Sequence, residues 1–250
     1  LWACKRPGAD VSFTWATSRA AQCLERIIPA DFTGTVQCDG YQAYPSFAKR
    51  SEGRITLAAC WAHARRKFHE AIESAPQHAG WLLLHIQQLY RIEQQLRLTR
   101  AGPKQCQAKR ASESRMIVER MHRAITRMKR SRRHLPKSAM GRAIDYALTH
   151  WTMLCVYLED GRVEIDNQPV ERAIRPTAIG KKNWLFIGEA EAGQRSAVLF
   201  TIIEACRSRG IDPQTYLRDV LTRLPTMTNR QIKDVIPAAW VYPVSMPPWQ

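Results

Sequence analysis

The hydrophobic pattern of this chain changes its period twice, and this limits the folds that the chain can adopt. Short apolar runs separated by turns fill residues 1–60, whereas apolar residues recur every three or four positions from Trp61 to about residue 160. After residue 161 the pattern is mixed again. Short runs predict strands, and the three- or four-residue spacing predicts helices. The sequence therefore predicts an α/β fold interrupted by a block of helices.

Residues 1–60 predict the order strand, strand, helix, strand, short helical segment and strand, which is an α/β pattern. A helix capped by Ser18 is expected to run to Ile28, where Pro29 ends it. The predicted strands are Leu1–Cys4, Val11–Trp15, Gly34–Asp39 and Ile55–Ala59.

The later part of the chain predicts further helices. The clearest runs from Met140 to Leu158 and stops at Gly161. The remaining predicted elements are a helix capped by Asp166 or Asn167, an extended run at Trp184–Gly188, an apolar helix that Gly193 opens and Gly210 closes, and a helix capped by Asp212.

Basic residues are concentrated in the helical block. The 250-residue chain has 38 Lys+Arg against 22 Asp+Glu, a formal net charge of +16. Fifteen of the basic residues lie between Arg97 and Arg142, with only Glu113 and Glu119 among them. A local excess of this size favours a polyanionic partner, above all nucleic acid. The alternative is a solvated helix surface without a partner.

The cysteines and the apolar runs bear on the compartment. Seven cysteines are scattered along the chain without a C-x-x-C pair, as is typical of free thiols in a reducing cytoplasm. No apolar stretch approaches the roughly 20 residues that a membrane span needs. Cys60 and His63 form a lone C-x-x-H, which is a weak indication of a metal site because no partner pair accompanies it.

Two carboxylates stand out as candidates for chemistry. Asp39 ends a predicted core strand, and a side chain at such an edge is well placed to face a site. Its alternative role is a local turn before Gly40. Glu171 lies in the first turns of a predicted helix, where the alternative is a surface ion pair with Arg175.

Carboxylates of this kind suit a divalent metal, because hard oxygen ligands hold Mg²⁺. A pair normally needs at least one more carboxylate. Asp10, Asp31 and Asp166 lie in predicted turns, and none of them ends a convincing first core strand.

Five linked segments of the chain resemble the catalytic part of an IS66-family transposase. The resemblance extends from Leu1 to about Leu224, with the segments in the family's order. They are VQCDGYQAY at Val36–Tyr44, AACWAHARRKF at Ala58–Phe68, RVEIDNQPVERAIR at Arg162–Arg175, GKKNWLFIG at Gly180–Gly188 and GIDPQTYLRDVL at Gly210–Leu221.

The resemblance implies an RNase H-like mixed sheet with a DDE active site. The second Asp of the triad falls on Asp39 in the DGY motif, and the Glu falls on Glu171 in the DN-x-x-x-ER motif. The interval between them implies a helical insertion in the core. The first Asp and the first core strand belong before Leu1, so we expect this chain to lack both and to be inactive when isolated.

The implied domain organisation has four segments. Residues 1–77 are the first part of the RNase H-like core, and residues 78–160 are a basic helical insertion. Residues 161–224 are the second part of the core with the catalytic Glu helix, and residues 225–250 are a C-terminal tail.

The implied activity is metal-dependent phosphodiester cleavage and strand transfer on insertion-sequence DNA. Asp39 and Glu171 are the implied ligands of Mg²⁺ or Mn²⁺. The implied partners are DNA ends and target, further copies of the chain and accessory transposition proteins, in the cytoplasm at the nucleoid. The candidate DNA contacts are Arg65, Arg66, Lys67, Arg127, Lys129, Arg130, Arg132, Arg133, Arg172, Arg175, Lys181 and Lys182.

Two other functions are compatible with the sequence. The first is a non-catalytic truncated product or remnant that binds DNA or full-length transposase without cutting. The second is a nuclease-like or RNA-binding RNase H relative, which explains the charge but explains the linked motifs poorly.

Overall fold

A computed structural model describes residues 1–184 and 188–241, without the side chains of Lys181 and Trp184. The chain divides into two compact units. The first unit combines Leu1–Arg19 with the chain from Pro169 onward, and the second unit is Ala20–Gln168.

The described residues form a mixed α/β chain in which helices predominate. The strands are β1 (Trp2–Lys5), β2 (Val11–Thr14), β3 (Gly34–Cys38) and β4 (Ile55–Ala59). The helices are α1 (Gln22–Glu25), α2 (Ala43–Arg50), α3 (Trp61–Glu70), α4 (Pro76–Leu98), α5 (Pro103–Lys109), α6 (Arg115–Arg130), α7 (Ala139–Thr149), α8 (Trp151–Glu159), α9 (Gln168–Trp184), α10 (Ala190–Arg207) and α11 (Pro213–Arg223). A π-helical turn, Arg110–Ser114, joins α5 to α6, and 3₁₀ turns follow α11 at Leu224–Thr226 and Asn229–Asp234.

The first unit pairs β1 and β2 as an antiparallel hairpin that packs on α10. Phe13 of β2 meets Phe200 with ring centroids 6.1 Å apart, and its backbone N–H donates to Thr201 Oγ1 at 2.9 Å. The apolar cluster around them includes Val11, Ala173 and Ala197. Alternation of buried and exposed residues along β2 accounts for this one-sided packing.

The second unit contains a parallel pair of strands, β3 and β4, in which Cys38 lies opposite Ala59. Helix α2 connects the two strands, as a parallel connection requires. Asp39 is the residue that directly follows β3.

The helices of the second unit enclose its main hydrophobic core. The indole N–H of Trp61 donates to the carbonyl of Leu154 at 2.8 Å, which ties α3 to α8. The spacing of the apolar residues explains the core, since they fall on one face of each helix. The largest fully buried side chains include Trp61, Phe68, Leu82, Ile86, Leu89, Met121, Ile125, Met140, Ile144 and Leu154.

Most predicted elements agree with the structure, including the order of elements over residues 1–60. The predicted helix from Ser18 to Ile28 is wrong in extent, because α1 spans only Gln22–Glu25 and buries only Leu24. The single helix predicted for Met140–Leu158 is two helices, α7 and α8. They break at His150, whose ring Nδ1 approaches the carbonyl of Tyr146 at 2.8 Å.

Two predictions near the C-terminal part also differ from the structure. Trp184, predicted to be extended, is the last residue of α9, and residues 185–187 of that predicted run lie outside the described residues. Helix α10 begins at Ala190 rather than at Gly193. A Cβ on Gly193 would lie 2.2 Å from the ring of Trp15, so this glycine permits a close approach of ring and helix instead of opening the helix.

The predicted single mixed sheet is represented among the described residues by two separate two-stranded sheets. Helices α4 to α8 follow one another between α3 and α9, where the sequence predicts the helical block. No helix among the described residues is long and apolar enough to cross a membrane.

Candidate functional site

The candidate site begins at the carboxyl edge of the β3–β4 pair. The last paired residues are Cys38 and Ala59, so Asp39 and Cys60 leave this edge side by side. The ends of parallel strands are a common position for functional side chains in α/β folds.

Asp39 is exposed and ends β3 in a tight turn. Its Oδ1 accepts a hydrogen bond from the backbone N–H of Tyr41 at 3.1 Å, so the local turn that the sequence allowed is present. Gly40 has a φ of +85°, a conformation that favours glycine, and a Cβ there would lie 3.4 Å from both the Tyr146 hydroxyl and His150 Nε2. The turn leaves the second carboxylate oxygen of Asp39 without a hydrogen bond among the described residues.

Two titratable neighbours of Asp39 at this edge, Tyr146 and Cys38, have raised pKa values. Burial, together with the Cys60, Asp39 and Cys38 groups, raises the pKa of Tyr146 to about 12. Burial likewise raises the pKa of Cys38 to about 11.

The segment before α9 runs along the same edge of the second unit. The Gln37 side chain donates to the Glu164 carbonyl at 2.7 Å, and the backbone N–H of Trp61 donates to the Ile165 carbonyl at 3.1 Å. These bonds hold Asp166 close to the end of β4.

Asp166 has two local partners. Its Oδ2 accepts from the Tyr90 hydroxyl at 2.7 Å, and its Oδ1 accepts from the backbone N–H of Gln168 at 3.1 Å. The second bond forms a local turn at the start of α9, where a cap by Asp166 or Asn167 is predicted. Burial and the carboxylate of Asp166 raise the pKa of Tyr90, which keeps its hydroxyl a donor.

Cys60 and His63 lie at the start of α3. Cys60 is the residue before the helix, and burial raises the pKa of its thiol to about 11 although backbone N–H groups, including that of Asn167, point at the sulfur. His63 lies one turn further along α3 and is half-buried. The ligand atoms of Cys60 and His63 lie within 4.8 Å of each other, so the C-x-x-H metal hypothesis stays a prediction.

Glu171 lies in the first turn of α9 and is half-buried. Arg172 and Arg175 of the same helix are exposed, as is Lys182, whereas the side chain of Lys181 lies outside the described residues. Asp39 belongs to the second unit and Glu171 to the first, so their approach to one another stays a prediction.

One face of α6 carries four exposed arginines, Arg120, Arg123, Arg127 and Arg130, which we call the arginine stripe. Their spacing of three or four residues places them in a row along about 15 Å of helix. None of them has a carboxylate within 4.0 Å among the residues that the structure describes. The opposite face buries Val118, Met121 and Ile125. The stripe is therefore fixed in place and has positive charge available for a polyanion.

The predicted basic contacts differ in how available their charges are. Arg65, Arg66, Arg132 and Arg133 are exposed, but Lys67 pairs with Glu70 at 3.5 Å and Lys129 pairs with Asp145.

Arg120 and Arg123 are not among the DNA contacts predicted from the sequence, although their spacing from Arg127 places all three on one face of α6. The bond between Tyr90 and Asp166 was also missed, because 76 residues separate the two.

The comparisons with known proteins agree on one family. The "Transposase IS66 family" matches residues 1–195, and the "IS66 C-terminal element" matches residues 201–238. No solved structure matches the chain.

The curated relatives come from Sinorhizobium fredii (strain NBRC 101917 / NGR234). "Uncharacterized protein y4jD" is 32% identical over 92% of this chain and 45% of its own length. "Uncharacterized protein y4qI" is 37% identical over 86% of this chain and 40% of its own length. The chain thus spans less than half the length of these relatives. The family matches, which cover most of its length, show that the chain belongs to the IS66 family of transposases.

Proposed function

We propose that this chain is the catalytic region of a DDE transposase, which cleaves insertion-sequence DNA and joins its ends to a target. The observation that carries the proposal is the position of Asp39. It is an exposed carboxylate at the end of a strand in a parallel pair, within the DGY motif that matches the family. The order of elements supports an RNase H-like core, since a hairpin and a parallel pair precede the helical block and Glu171 follows it.

The residues present fit a divalent metal of the magnesium type. Asp39 offers an oxygen that no described group occupies, and carboxylate oxygens are the ligands that Mg²⁺ prefers. Asp39 and Glu171 would hold the metal, and their carboxylates are expected within about 8 Å of each other, as one metal pair requires. When bound, the metal supplies activation of the attacking oxygen and stabilisation of the leaving oxygen.

Orientation of Asp39 and binding of the DNA are assigned to other groups of the chain. The direction of the Asp39 carboxylate is fixed by its Asx turn, in which it accepts from the backbone N–H of Tyr41. Gly40 in this turn lies close to Tyr146 and His150. The arginine stripe would hold the DNA through its phosphates, without reading the sequence.

The test of this proposal is cleavage and strand transfer by the polypeptide of the complete open reading frame that contains this chain. With Mg²⁺ and a DNA fragment carrying the element's ends, Asp39→Asn and Glu171→Gln should each abolish product. Asp31→Asn and Glu191→Gln are matched controls, because Asp31 is an exposed turn aspartate and Glu191 also lies in the first turn of a helix. Full activity of Asp39→Asn would overturn the assignment.

A second candidate function is a DNA-binding product that does not cut. The arginine stripe favours it, since binding through arginines needs no carboxylate. Salt-dependent DNA binding that persists in Asp39→Asn and Glu171→Gln, with no cleavage by the complete wild-type polypeptide, would select this alternative.

A further inference from the structure

Two adjoining hollows lie beside α6, within the second unit. The first, of about 230 Å³, has an apolar floor that includes Val118, Trp151 and Leu158. The second, of about 600 Å³, is bordered by basic side chains of the arginine stripe. His122 and Arg123 line both hollows, so the two adjoin at these residues, and we call them together the cleft.

The first hollow contains a supported aromatic surface. The exposed imidazole of His122 lies over the Trp151 indole, with centroids 4.9 Å apart and planes inclined by 31°. Trp151 in turn meets the ring of Trp61 edge-on at 5.9 Å. Trp61 is 1% exposed and hydrogen-bonded to the Leu154 carbonyl, so the stack is anchored in the core.

The charges around the cleft are arranged unevenly. Arg123, Arg127 and Arg130 face the second hollow and have no carboxylate within ion-pairing distance among the described residues. Glu119, at the first hollow, is likewise absent from the ion pairs of the described part of the chain. An aromatic hollow lined also by Glu119, Arg115 and Arg123 thus adjoins a cationic trough.

We propose that this cleft binds a single unpaired nucleotide of DNA. The base stacks on His122 above Trp151, and its flanking phosphates contact Arg123, Arg127 and Arg130. Arginine grooves beside aromatic side chains are the general means of holding unpaired nucleic acid. The inference rests on the proposed DNA function and adds to it a site for one unstacked base.

The size and chemistry of the first hollow limit the kind of base that it can hold. Its volume is below the roughly 300 Å³ at which pockets for larger ligands begin, which favours a single ring system over a base pair. The carboxylate of Glu119 accepts hydrogen bonds only, so it favours a base with an exocyclic amino group. Cytosine is therefore expected to bind better than thymine.

The experiment compares two fluorescein-labelled duplexes by anisotropy at one salt concentration, using the full chain. One duplex is fully paired, and the other carries one extra, unpaired cytosine. The bulged duplex should bind about fivefold more tightly or better, the lower end of what stacking of one base on an aromatic ring provides. A bulged thymine should give a smaller preference.

Variants separate the aromatic hollow from general DNA binding. His122→Ala should remove the preference for the bulge and leave the affinity for the paired duplex unchanged, whereas His122→Phe should retain the preference. His69→Ala, at an exposed histidine of α3, is the matched control and should behave as wild type. Arg127→Gln with Arg130→Gln should weaken both duplexes equally.

Each contrary result has a distinct meaning. Equal wild-type affinity for the two duplexes, or a preference that survives in His122→Ala, would overturn the site while leaving the DNA function intact. Absence of salt-dependent binding to either duplex would overturn the proposed function and the site together.

Discussion

The guanidinium of Arg110 donates two hydrogen bonds to the carboxylate of Glu93, from Nε at 2.8 Å and from a terminal nitrogen at 2.7 Å. Both side chains are 3% exposed. The other terminal nitrogen of Arg110 donates to the carbonyls of Tyr157, Asp160 and Val163. The pair therefore joins α4, the π-helical turn and the end of α8 in the interior of the second unit.

Breaking this pair should destabilise the protein severely. Glu93→Gln and Arg110→Met each leave a buried group without its charged partner, and a loss of about 3–5 kcal/mol in unfolding free energy is expected. Urea denaturation of each variant measures the loss. The control is the exposed pair of Arg115 and Glu159, where Arg115→Met should cost at most about 1 kcal/mol. Equal losses in the two pairs would contradict the structural role of Arg110.

The arginine stripe should set the salt dependence of DNA binding. Replacing all four arginines with glutamine should reduce the slope of log K against log salt by about 3–4, since each phosphate contact contributes about 0.9. The control replaces Arg115 and Lys129, which are held in ion pairs, and should change the slope much less. An unchanged slope in the fourfold variant would identify the stripe as a solvated surface.

Acid should weaken the second unit through a pair of histidines. His134 Nε2 and His78 Nδ1 are 3.0 Å apart. Burial, followed by the charges of His78 and Arg133, lowers the pKa of His134 below its ordinary 6.5. The unfolded chain therefore binds the proton at higher pH than the folded chain does, and stability rises with pH in this window.

The contribution of His134 should be complete above pH 6.5 and be lost as the pH falls through the lowered folded pKa. Urea midpoints measured between about pH 5 and pH 7.5 should decrease on acidification, and less so in His134→Gln. The control is His69→Gln, at an exposed position of α3. If His134→Gln kept the full wild-type dependence on pH, the pair would not be responsible.

Two helical glycines should respond oppositely to alanine. Gly193→Ala should destabilise the first unit, because its Cβ would lie 2.2 Å from the Trp15 ring. Gly80→Ala in α4 meets nothing within 4 Å and should stabilise the chain by about 0.5–1 kcal/mol, as alanine is the better helix former. Thermal unfolding of both variants is the measurement, and destabilisation by Gly80→Ala would contradict the packing around α4.

The sequence predicts local features of this fold well, because local features follow from nearby residues. Apolar spacing identifies α3, α4 and α6, and Asp212 caps α11 as expected, accepting from the Thr215 N–H at 2.7 Å. The break between α7 and α8 at His150 was not predicted, since the helical spacing of apolar residues continues through both helices.

The candidate site was predictable only in part for the same reason. The position of Asp39 after β3 follows from a strand pattern and a turn signal. The bond from Tyr90 to Asp166 joins residues far apart in sequence, and the pairing of Lys129 with Asp145 removes a charge that composition alone counts as available.

The π-helical turn at Arg110–Ser114 lies in a helix that must keep buried Arg110 and the exposed arginine stripe on different faces. Helices α5 and α6 form one uninterrupted helical run through it, from Pro103 to Arg130. Loss or gain of one residue in the regular α-helical part between Ser114 and Arg120 rotates everything beyond it by about 100°. A single-codon deletion there would turn the exposed arginines away from their present face while Arg110 stayed inside. In this helix, the number of residues between Arg110 and the arginine stripe matters as much as the identity of those residues.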